Sequence, residues 1–258
     1  MSGGGRHVAM AVLRRTIIHT YKNPAIIIPS LAFPLVFLLA FAGGLSAVTS
    51  VPGFEFAAGY TAFQFVFVFL QMAAFGGIFT GYRLAEDYES GFARRLMLGA
   101  PNRLGIVCGY ILAGLVRYAL IGALLWAIAL ATGMTVMGGI PDVLGILALG
   151  ALINITCSLW TIGLAFRYQS VDIGSFMQTP VFVLLFLAPV YVPLALLTGW
   201  LHAAASVNPI TLILDASRGF ISGEPDKVLY AFAASLAIAG LGWIWAMRQM
   251  KRAERGAG

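Results

Sequence analysis

The sequence predicts an all-α membrane protein with six transmembrane helices, and three observations support this prediction. Hydrophobic residues make up 60% of the 258-residue chain and charged residues only 10%. A soluble domain carries about 25% charged residues, so too few are present here to cover a water-facing surface. The apolar residues also fall into six runs of about 20 residues or more, the length that crosses a bilayer. We expect a single transmembrane domain over residues 1–258.

The predicted elements follow one another in a simple order. Residues 6–23 interleave apolar and basic side chains at helical spacing, which predicts an N-terminal amphipathic helix lying in the membrane surface. Residues 24–247 contain the six spans, which we place at 24–47, 57–81, 104–131, 143–166, 177–197 and 228–247. Residues 248–258 form a basic tail. The stretch 198–227 is long for a membrane loop and rich in Trp, Leu and Ile, which predicts short re-entrant helices at the outer interface.

The basic residues predict the orientation of these spans. With six spans both termini share a side, and 13 of the 16 lysines and arginines fall on that side. Two lie on the opposite side, and Arg117 lies within the third span. Because cytoplasmic loops carry the excess of Lys and Arg, we expect both termini in the cytoplasm. The net charge of +6 then reflects topology, and we expect no nucleic-acid partner.

The residue patterns of hydrolytic enzymes do not occur in the sequence. No serine or cysteine has a histidine at a spacing that suggests a nucleophile and its base. Cys108 and Cys157 lie in apolar runs without a ligand pattern, so we expect no catalytic residue and no metal. A phosphate-binding loop needs a lysine followed by Ser or Thr, and none of the three lysines is followed by either. An ATP-driven function would therefore need a separate ATPase.

Two other classes of membrane protein stay open at this point. A small secondary carrier or channel would work without an ATPase. Ion-coupled carriers usually keep a carboxylate at mid-membrane, however, and all ten acidic residues fall outside the predicted spans. An intramembrane hydrolase would need an activity that persists without ATP.

The most charged loop, residues 83–103, follows the second span. Its acidic residues come first, its basic residues follow, and apolar residues recur at helical spacing before a Gly-Ala-Pro stop. This pattern predicts an amphipathic helix with Glu86, Asp87 and Glu89 near its N-terminal end and Arg94 and Arg95 near its C-terminal end. Such a helix could dock an ATPase. A solvated amphipathic linker is the alternative that the charge pattern leaves open.

Three groups of residues resemble one family of transporters. After the second span the chain carries Glu89-Ser90-Gly91 and then Arg94, Arg95, Leu96, Pro101 and Arg103. This run resembles that of type 2 ABC-transporter permeases, the drug, lipid and polysaccharide exporter class that includes daunorubicin-resistance-like proteins. Asn208-Pro209 followed by Arg218 is similar to the family's Asn-Pro and downstream arginine, and Asn23-Pro24 with Pro34 is similar to its opening. One departure is the fifth span, which ends in Pro-Val-Tyr-Val-Pro without the polar Ser-Gly pair frequent in the family.

The resemblance implies the transmembrane subunit of an ATP-driven exporter that moves an amphipathic, lipid-like or glycan substrate out of the cytoplasm or inner leaflet. It implies a second permease copy or paralogue, separate ATPase subunits that bind ATP and Mg, and a place in the bacterial cytoplasmic (inner) membrane. The loop after the second span would be a coupling helix seated in an ATPase groove, and the amphipathic start would be a connecting helix touching the same ATPase. The expected ATPase-coupling residues are Glu86, Asp87, Glu89, Gly91, Arg94, Arg95, Pro101 and Arg103.

A short helix is predicted between the fifth and sixth spans. Asn208 is a good N-cap and Pro209 a good first-turn residue, so we expect a helix over 210–221. Asp215 and Arg218 lie three positions apart on it and can form an ion pair. The four residues would form either an outer lid over the translocation path or a structural cap whose ion pair holds the loop together.

Five further residues are candidates for the substrate path. Arg117 lies 14 residues after the last arginine of the charged loop, about 21 Å along a helix. It needs a partner or a water-filled cavity inside the membrane, unless the span starts late and Arg117 reaches the inner headgroups. Phe63 and Phe67 recur at a four-residue spacing in the second span, as Phe182 and Phe186 do in the fifth. The rings suggest an aromatic cavity for an amphipathic substrate, although helix packing or lipid contact is the favoured interpretation.

Overall fold

The computed structural model describes residues 3–22, 32–40, 44, 54, 56–100 and 102–255. Every regular element in these ranges is helical, which confirms the all-α class. The helices are α1 (Gly3–Lys22), α2 (residues 32–40), α3 (Gly59–Glu89), α4 (Phe92–Gly99), α5 (Leu104–Ala131), α6 (Ile140–Tyr168), α7 (Gly174–Phe186), α8 (Gly199–Val207), α9 (Pro209–Ser222) and α10 (Val228–Arg255). Two 3-10 turns occur at Val171–Ile173 and Leu194–Leu196. Most of the predicted first span lies outside the described residues.

Four helices are long and apolar enough to cross a membrane, namely α3, α5, α6 and α10. They correspond to the predicted second, third, fourth and sixth spans, and α5 begins and ends where the third span was predicted. α3 and α10 continue for about two turns past the predicted ends of their spans. The extension of α3 carries Glu86, Asp87 and Glu89, three of the predicted coupling residues.

The predicted fifth span, 177–197, is helical only as far as Phe186, and two of the prolines that the sequence places in it follow that end. α7 ends at Phe186, and the chain after it is irregular apart from the 3-10 turn Leu194–Leu196. Pro189 and Pro193 have no backbone N–H and cannot continue the helical ladder. The carbonyl groups freed beyond α7 therefore need hydrogen-bond donors from elsewhere in the protein.

α3 is the central helix of the described bundle. Its apolar part is buried almost throughout, whereas α10 is mostly exposed. α6 lies close to it at Gly77, where an added methyl group would overlap the backbone oxygen of Asn154. Asn154 Nδ2 also donates a hydrogen bond to Ala73 O (2.9 Å), and Thr161 Oγ1 donates to Gly77 O (3.2 Å). Small residues and polar side chains are the usual means of holding helices together in a membrane.

α1 packs against the first turns of α5. Gly105 and Gly109 lie so close to α1 that a methyl group on either would meet the backbone oxygens of Gly5 and Ala9. Val12 is buried on the same face of α1. A helix is therefore present over the predicted amphipathic segment, and its small residues hold it against the bundle.

The short helices predicted after the fifth span are also present. α9 covers the predicted 210–221, and it contacts α3, α6 and α10. α9 also contacts the loop between α5 and α6, where Met137 N donates to Ile221 O (2.9 Å). α4 lies at the other end of α5, where α3, α6 and α10 also end. We call the side of α9 the outer end and the side of α4 the basic end.

Gly77 and Gly240 provide a matched test of the α3–α6 contact. Gly77→Ala is expected to lower the thermal midpoint of the protein in detergent, because its methyl group overlaps the α6 backbone and overpacking costs about 1–3 kcal/mol. Gly240→Ala in α10 has no atom within 4 Å of the added methyl group, and Ala is the better helix former by about 1 kcal/mol. An equal loss of stability in both variants would contradict the close contact.

Candidate functional site

The predicted coupling segment lies at the basic end in two pieces. α3 runs through to Glu89, the chain turns at Ser90 and Gly91, and α4 then begins. Gly91 has a φ of +71°, in the left-handed region that favours glycine. Pro101 lies outside the described residues.

The placement predicted for the acidic residues is wrong. Glu86, Asp87 and Glu89 lie at the C-terminal end of α3 and not at the N-terminal end of the coupling helix. The physical reason is that Leu84 and Tyr88 are buried and extend the apolar pattern of α3 into the charged loop. Arg94 and Arg95 lie on α4, which is a separate helix of eight residues.

Asp87 collects four hydrogen bonds at the basic end. It is 1% exposed and accepts two hydrogen bonds from Arg15 of α1, at 2.7 and 2.9 Å. Arg83 Nη2 donates to it at 2.9 Å, and the hydroxyl of Tyr110 in α5 donates as well. Arg83 also pairs with the half-exposed Glu86 at 2.8 Å. A buried carboxylate is tolerated only when it is paired and hydrogen-bonded, so Asp87 depends on all three helices.

Arg15 extends this network to α4. Its guanidinium lies 3.7 Å from the centroid of the Phe92 ring, a cation–π contact. The hydrogen bonds from Arg15 to Asp87 raise the pKa of Arg15 above its ordinary value, with burial opposing them. We call this network the Asp87 cluster, formed by Arg15, Arg83, Asp87, Phe92 and Tyr110.

Nowhere in the described ranges do three His, Cys, Asp or Glu side chains gather in a way that could hold a metal ion.

Glu89 links the end of α3 to the segment that precedes α7. Its Oε1 accepts hydrogen bonds from Ser170 Oγ (2.9 Å) and from the backbone N–H of Val171 (2.8 Å). Ser170 Oγ in turn accepts from the backbone N–H of Asp172 (3.2 Å). The first N–H groups of a helical stretch lack intrahelical partners and favour a negative charge. Glu89 therefore holds the start of the Val171–Phe186 stretch.

α4 has a buried face and an exposed face. Ala93 and Met97 are buried, whereas Arg95 is exposed and Leu98 is 75% exposed. The exposed face of α4 therefore presents one apolar side chain beside exposed arginines.

Arg94 and Arg103 tie α4 to the neighbouring helix ends. Arg94 Nη2 donates to Gln169 Oε1 after α6 (3.3 Å). Arg103 Nε donates to Met97 O (3.1 Å), and Arg103 Nη1 pairs with Glu254 Oε2 of α10 (3.0 Å). Together with the Asp87 cluster, these contacts connect the ends of α1, α3, α4, α5, α6 and α10 at the basic end.

Arg218 of α9 is buried at the outer end. It donates hydrogen bonds to the backbone carbonyls that the break after α7 leaves without helical partners. It is 5% exposed, and it donates from Nη1 to Pro189 O (2.8 Å) and from Nη2 to Val190 O (3.1 Å). Its guanidinium lies 3.4 Å from the centroid of the Phe63 ring. Gln64 Nε2 of α3 donates to the same Val190 O (3.2 Å). We call Gln64 and Arg218, together with their two carbonyl acceptors, the carbonyl clamp.

Asn208 holds the end of α7 itself. Its Oδ1 accepts from the backbone N–H of Ile210 (3.0 Å), which confirms the predicted N-cap, and Pro209 begins α9. Asn208 Nδ2 donates to Leu184 O in the last turn of α7 (2.6 Å). Asp215 Oδ1, by contrast, lies 4.0 Å from Arg218 Nη1. The backbone carbonyls are therefore the closer partners of Arg218, and the ion pair is the longer contact.

Arg117 lies in the middle of α5, and its partner is α3. Its Nη2 donates to Gly76 O and to Thr80 Oγ1 (3.2 Å). No carboxylate among the described residues pairs with it. The sequence predicts that Arg117 needs a partner or a water-filled cavity, or reaches the headgroups. The structure shows a partner, formed by a neutral carbonyl and a neutral hydroxyl group of α3.

The predicted aromatic residues fall into two places. Phe182 and Phe186 stack with ring centroids 5.4 Å apart, and Phe186 contacts Phe67 at 5.6 Å. Phe63 instead lies under Arg218, and Arg117 contacts α3 at Gly76. The rings of Phe67, Phe182 and Phe186 pack against one another between α3 and α7.

Three residues of these sites were not among the residues predicted from the sequence. Arg15 is one of several basic residues on α1, and Tyr110 lies in a long apolar run. Gln64 did carry a signal, because a polar amide within a phenylalanine-rich span needs a partner. Its acceptor, Val190 O, lies 126 residues further along the chain, and the sequence does not indicate which carbonyl near the prolines of the fifth span it would bind.

Comparison with known proteins places this arrangement among transporters. A family model described as "ABC-2 type transporter" matches residues 7–221. A protein of Pyropia yezoensis named "Putative transport permease ycf38" is 24% identical over 217 residues, which cover 81% of this chain and 72% of that protein. The matched region includes the Asp87 cluster, α4, Glu89 and the carbonyl clamp.

Asp87→Asn is expected to destabilise the protein and to release α1. The amide cannot compensate two guanidinium groups, and breaking a buried charge pair costs about 3–5 kcal/mol. Thermal unfolding in detergent and hydrogen exchange of the α1 amides measure the two effects. Glu86→Gln is the control, since its half-exposed ion pair contributes below about 1 kcal/mol. Equal behaviour of the two variants would contradict the assignment.

Arg218→Lys and Asp215→Asn separate the carbonyl clamp from the ion pair. Lysine cannot donate to two carbonyls in a fixed fork, and an unpaired buried carbonyl costs about 1–3 kcal/mol. We expect Arg218→Lys to lower the thermal midpoint clearly and Asp215→Asn to change it little. The reverse order would show that the ion pair, and not the carbonyls, holds the outer end.

Proposed function

This chain belongs to the ABC-2 type transporter family, and from that premise we propose that it is the permease subunit of an ATP-driven exporter. Its four candidate spans and its likeness to a named transport permease support a multi-pass membrane subunit. The proposed substrate is amphipathic, lipid-like or a glycan, moved out of the cytoplasm or the inner leaflet. ATP and Mg would bind to separate ATPase subunits, and this chain would do no catalysis.

The observation that carries the proposal is the construction of α4. It projects Leu98, 75% exposed, beside Arg94 and Arg95, while its buried face is fixed by Met97 and Ala93. A short, rigid helix with an exposed apolar residue suits a groove on a soluble ATPase. We therefore take α4 as the coupling helix.

A movement of α4 would reach the membrane through two contacts. Phe92 pushes on Arg15 and hence on the Asp87 cluster, which joins α1, α3 and α5. Glu89, two residues before the Gly91 hinge, holds the start of the fifth span at Val171. α7 would then move between this contact and the contacts of its far end with α9. α9 would act as the outer lid through Arg218 and Asn208.

The topology we propose has six spans and both termini in the cytoplasm. The first span would be 24–47, and the fifth would be completed by α7 and the irregular segment that follows it. In support, the helix ends at the basic end carry arginines from four elements, which is the bias of cytoplasmic loops. The proposed location is the bacterial inner membrane.

The substrate path would lie between this chain and a second permease copy or paralogue. Phe182 and Phe186 are half-buried, and they lie on α7, the element that the two sets of contacts would move. Phe63 and Phe67 are buried behind them in α3. Arg117 would contribute a positive charge to the path from α5, since it has no carboxylate partner among the described residues.

Co-purification tests the proposal. We expect the tagged chain, purified from its native membranes in mild detergent, to bring a soluble P-loop ATPase with it. Leu98→Asp should abolish this recovery, because a charge would enter the ATPase groove, without lowering the thermal midpoint. Met137→Asp is the matched control, since Met137 is 57% exposed at the outer end.

Two results would contradict the proposal. Recovery of the wild-type chain alone, with no ATPase activity, would favour a carrier or channel. Equal recovery of the ATPase with Leu98→Asp and Met137→Asp would show that α4 is not the coupling helix.

A further inference from the structure

A large cavity lies at the basic end beside α4. It has a volume of about 770 Å³ and is lined by α3, α4, α6 and α10. Its charged lining consists of Arg94, Arg103, Arg167, Arg252 and Glu254. Glu254 pairs with Arg103, which leaves three arginines that form no ion pair with any described residue. We call this space the basic cavity.

Two buried polar atoms in the basic cavity also lack partners. Tyr88 is 4% exposed and Gln249 is 2% exposed. The Tyr88 hydroxyl and Gln249 Oε1 have no hydrogen-bond partner in the described part of the chain. An unmade hydrogen bond of a buried group costs about 1–3 kcal/mol, so these atoms indicate a ligand that supplies both an acceptor and a donor.

The chemistry of the lining selects the ligand. Arg94 donates to Gln169 and Arg167 lies over the Tyr168 ring, but none of the three guanidinium groups has a carboxylate partner among the described residues. They favour an anion such as a phosphate, to which the Tyr88 hydroxyl can also donate. Gln249 Oε1 can accept a hydrogen bond from a hydroxyl group. The cavity lies at the end of the bundle where α3, α6 and α10 end. Basic pockets between membrane helices on the cytoplasmic side bind anionic headgroups.

We propose that the basic cavity binds the headgroup of an anionic phospholipid that carries a phosphodiester and free hydroxyls, as phosphatidylglycerol does. The phosphate lies among Arg94, Arg167 and Arg252, and the glycerol hydroxyl reaches Gln249. The bound headgroup joins α4 to α6 and α10 and relieves the repulsion between their arginines. The lipid therefore fixes the position of α4 relative to α6 and α10 before any ATPase is present.

The experiment uses the full chain in detergent, without an ATPase. The chain is mixed with equal amounts of phosphatidylglycerol and phosphatidylcholine that have the same acyl chains, and native mass spectrometry counts each retained lipid. The site variant is Arg167→Gln with Arg252→Gln, neither of which lies on α4. The matched control is Arg248→Gln with Arg255→Gln, which removes the same charge from positions that do not line the cavity.

We expect the wild-type chain and the control to retain phosphatidylglycerol preferentially. One arginine near a headgroup changes association about fivefold, so the site variant should lose this preference by on the order of twentyfold. An equal loss in the control would overturn the proposal, because it would show attraction by net charge alone. Thermal midpoints in phosphatidylcholine verify that both variants are folded.

Two further arms identify the source of the phosphate. Inorganic phosphate at millimolar concentration should not displace phosphatidylglycerol, and displacement would overturn the lipid assignment in favour of a soluble anion. A site variant that retains the lipid but recovers less ATPase would also overturn it, since the arginines would then receive an acidic segment of the ATPase. Because lipid retention is measured without an ATPase, its failure is distinguishable from failure of the exporter proposal.

Discussion

The buried carboxylate of Asp87 is the interaction on which the basic end of the protein depends. It is shared by Arg15, Arg83 and Tyr110, which lie on three different helices. A buried carboxylate without these donors would be strongly unfavourable. Separating any of the three helices would therefore greatly lower the stability of the protein. Phe92 adds α4 through the same guanidinium of Arg15. The amphipathic helix and the proposed coupling helix are thus joined by one charge.

The outer end is governed by a different constraint, the break after α7. A chain within a membrane has to satisfy every carbonyl internally, and two prolines prevent the helix from doing so. Arg218 and Gln64 satisfy the carbonyls beyond the break, and Asn208 satisfies one in the last turn of α7. Glu89 holds the opposite end of the same stretch. The motif residues at the two ends of the bundle therefore contact the two ends of one short stretch, and the proposed motion of α4 would reach the outer end through it.

The sequence pattern predicted an element well where the residues of that element alone determine its length. The bounds of the helix predicted as the third span and the Asn208 cap were confirmed, because apolar length and capping chemistry are local properties. The placement of Glu86, Asp87 and Glu89 was wrong, and the partners of the interrupted fifth span could not be predicted, because both depend on contacts between distant parts of the chain. The donors that stabilise a broken helix come from α3 and α9, and the donors to Asp87 come from α1 and α5. Contacts of such long sequence separation leave no periodic signal in either partner, and the roles predicted for the site residues stay predictions.

The central claim is that α1 and α4 form one rigid unit through Asp87. The most direct measurement is the distance between spin labels at Met10 and Leu98, both exposed, in a chain with Cys108 and Cys157 replaced by alanine. We predict a single narrow distribution with Asp87 present and a broad one after Asp87→Asn. A distribution that is broad in both, or narrow in both, would contradict the claim.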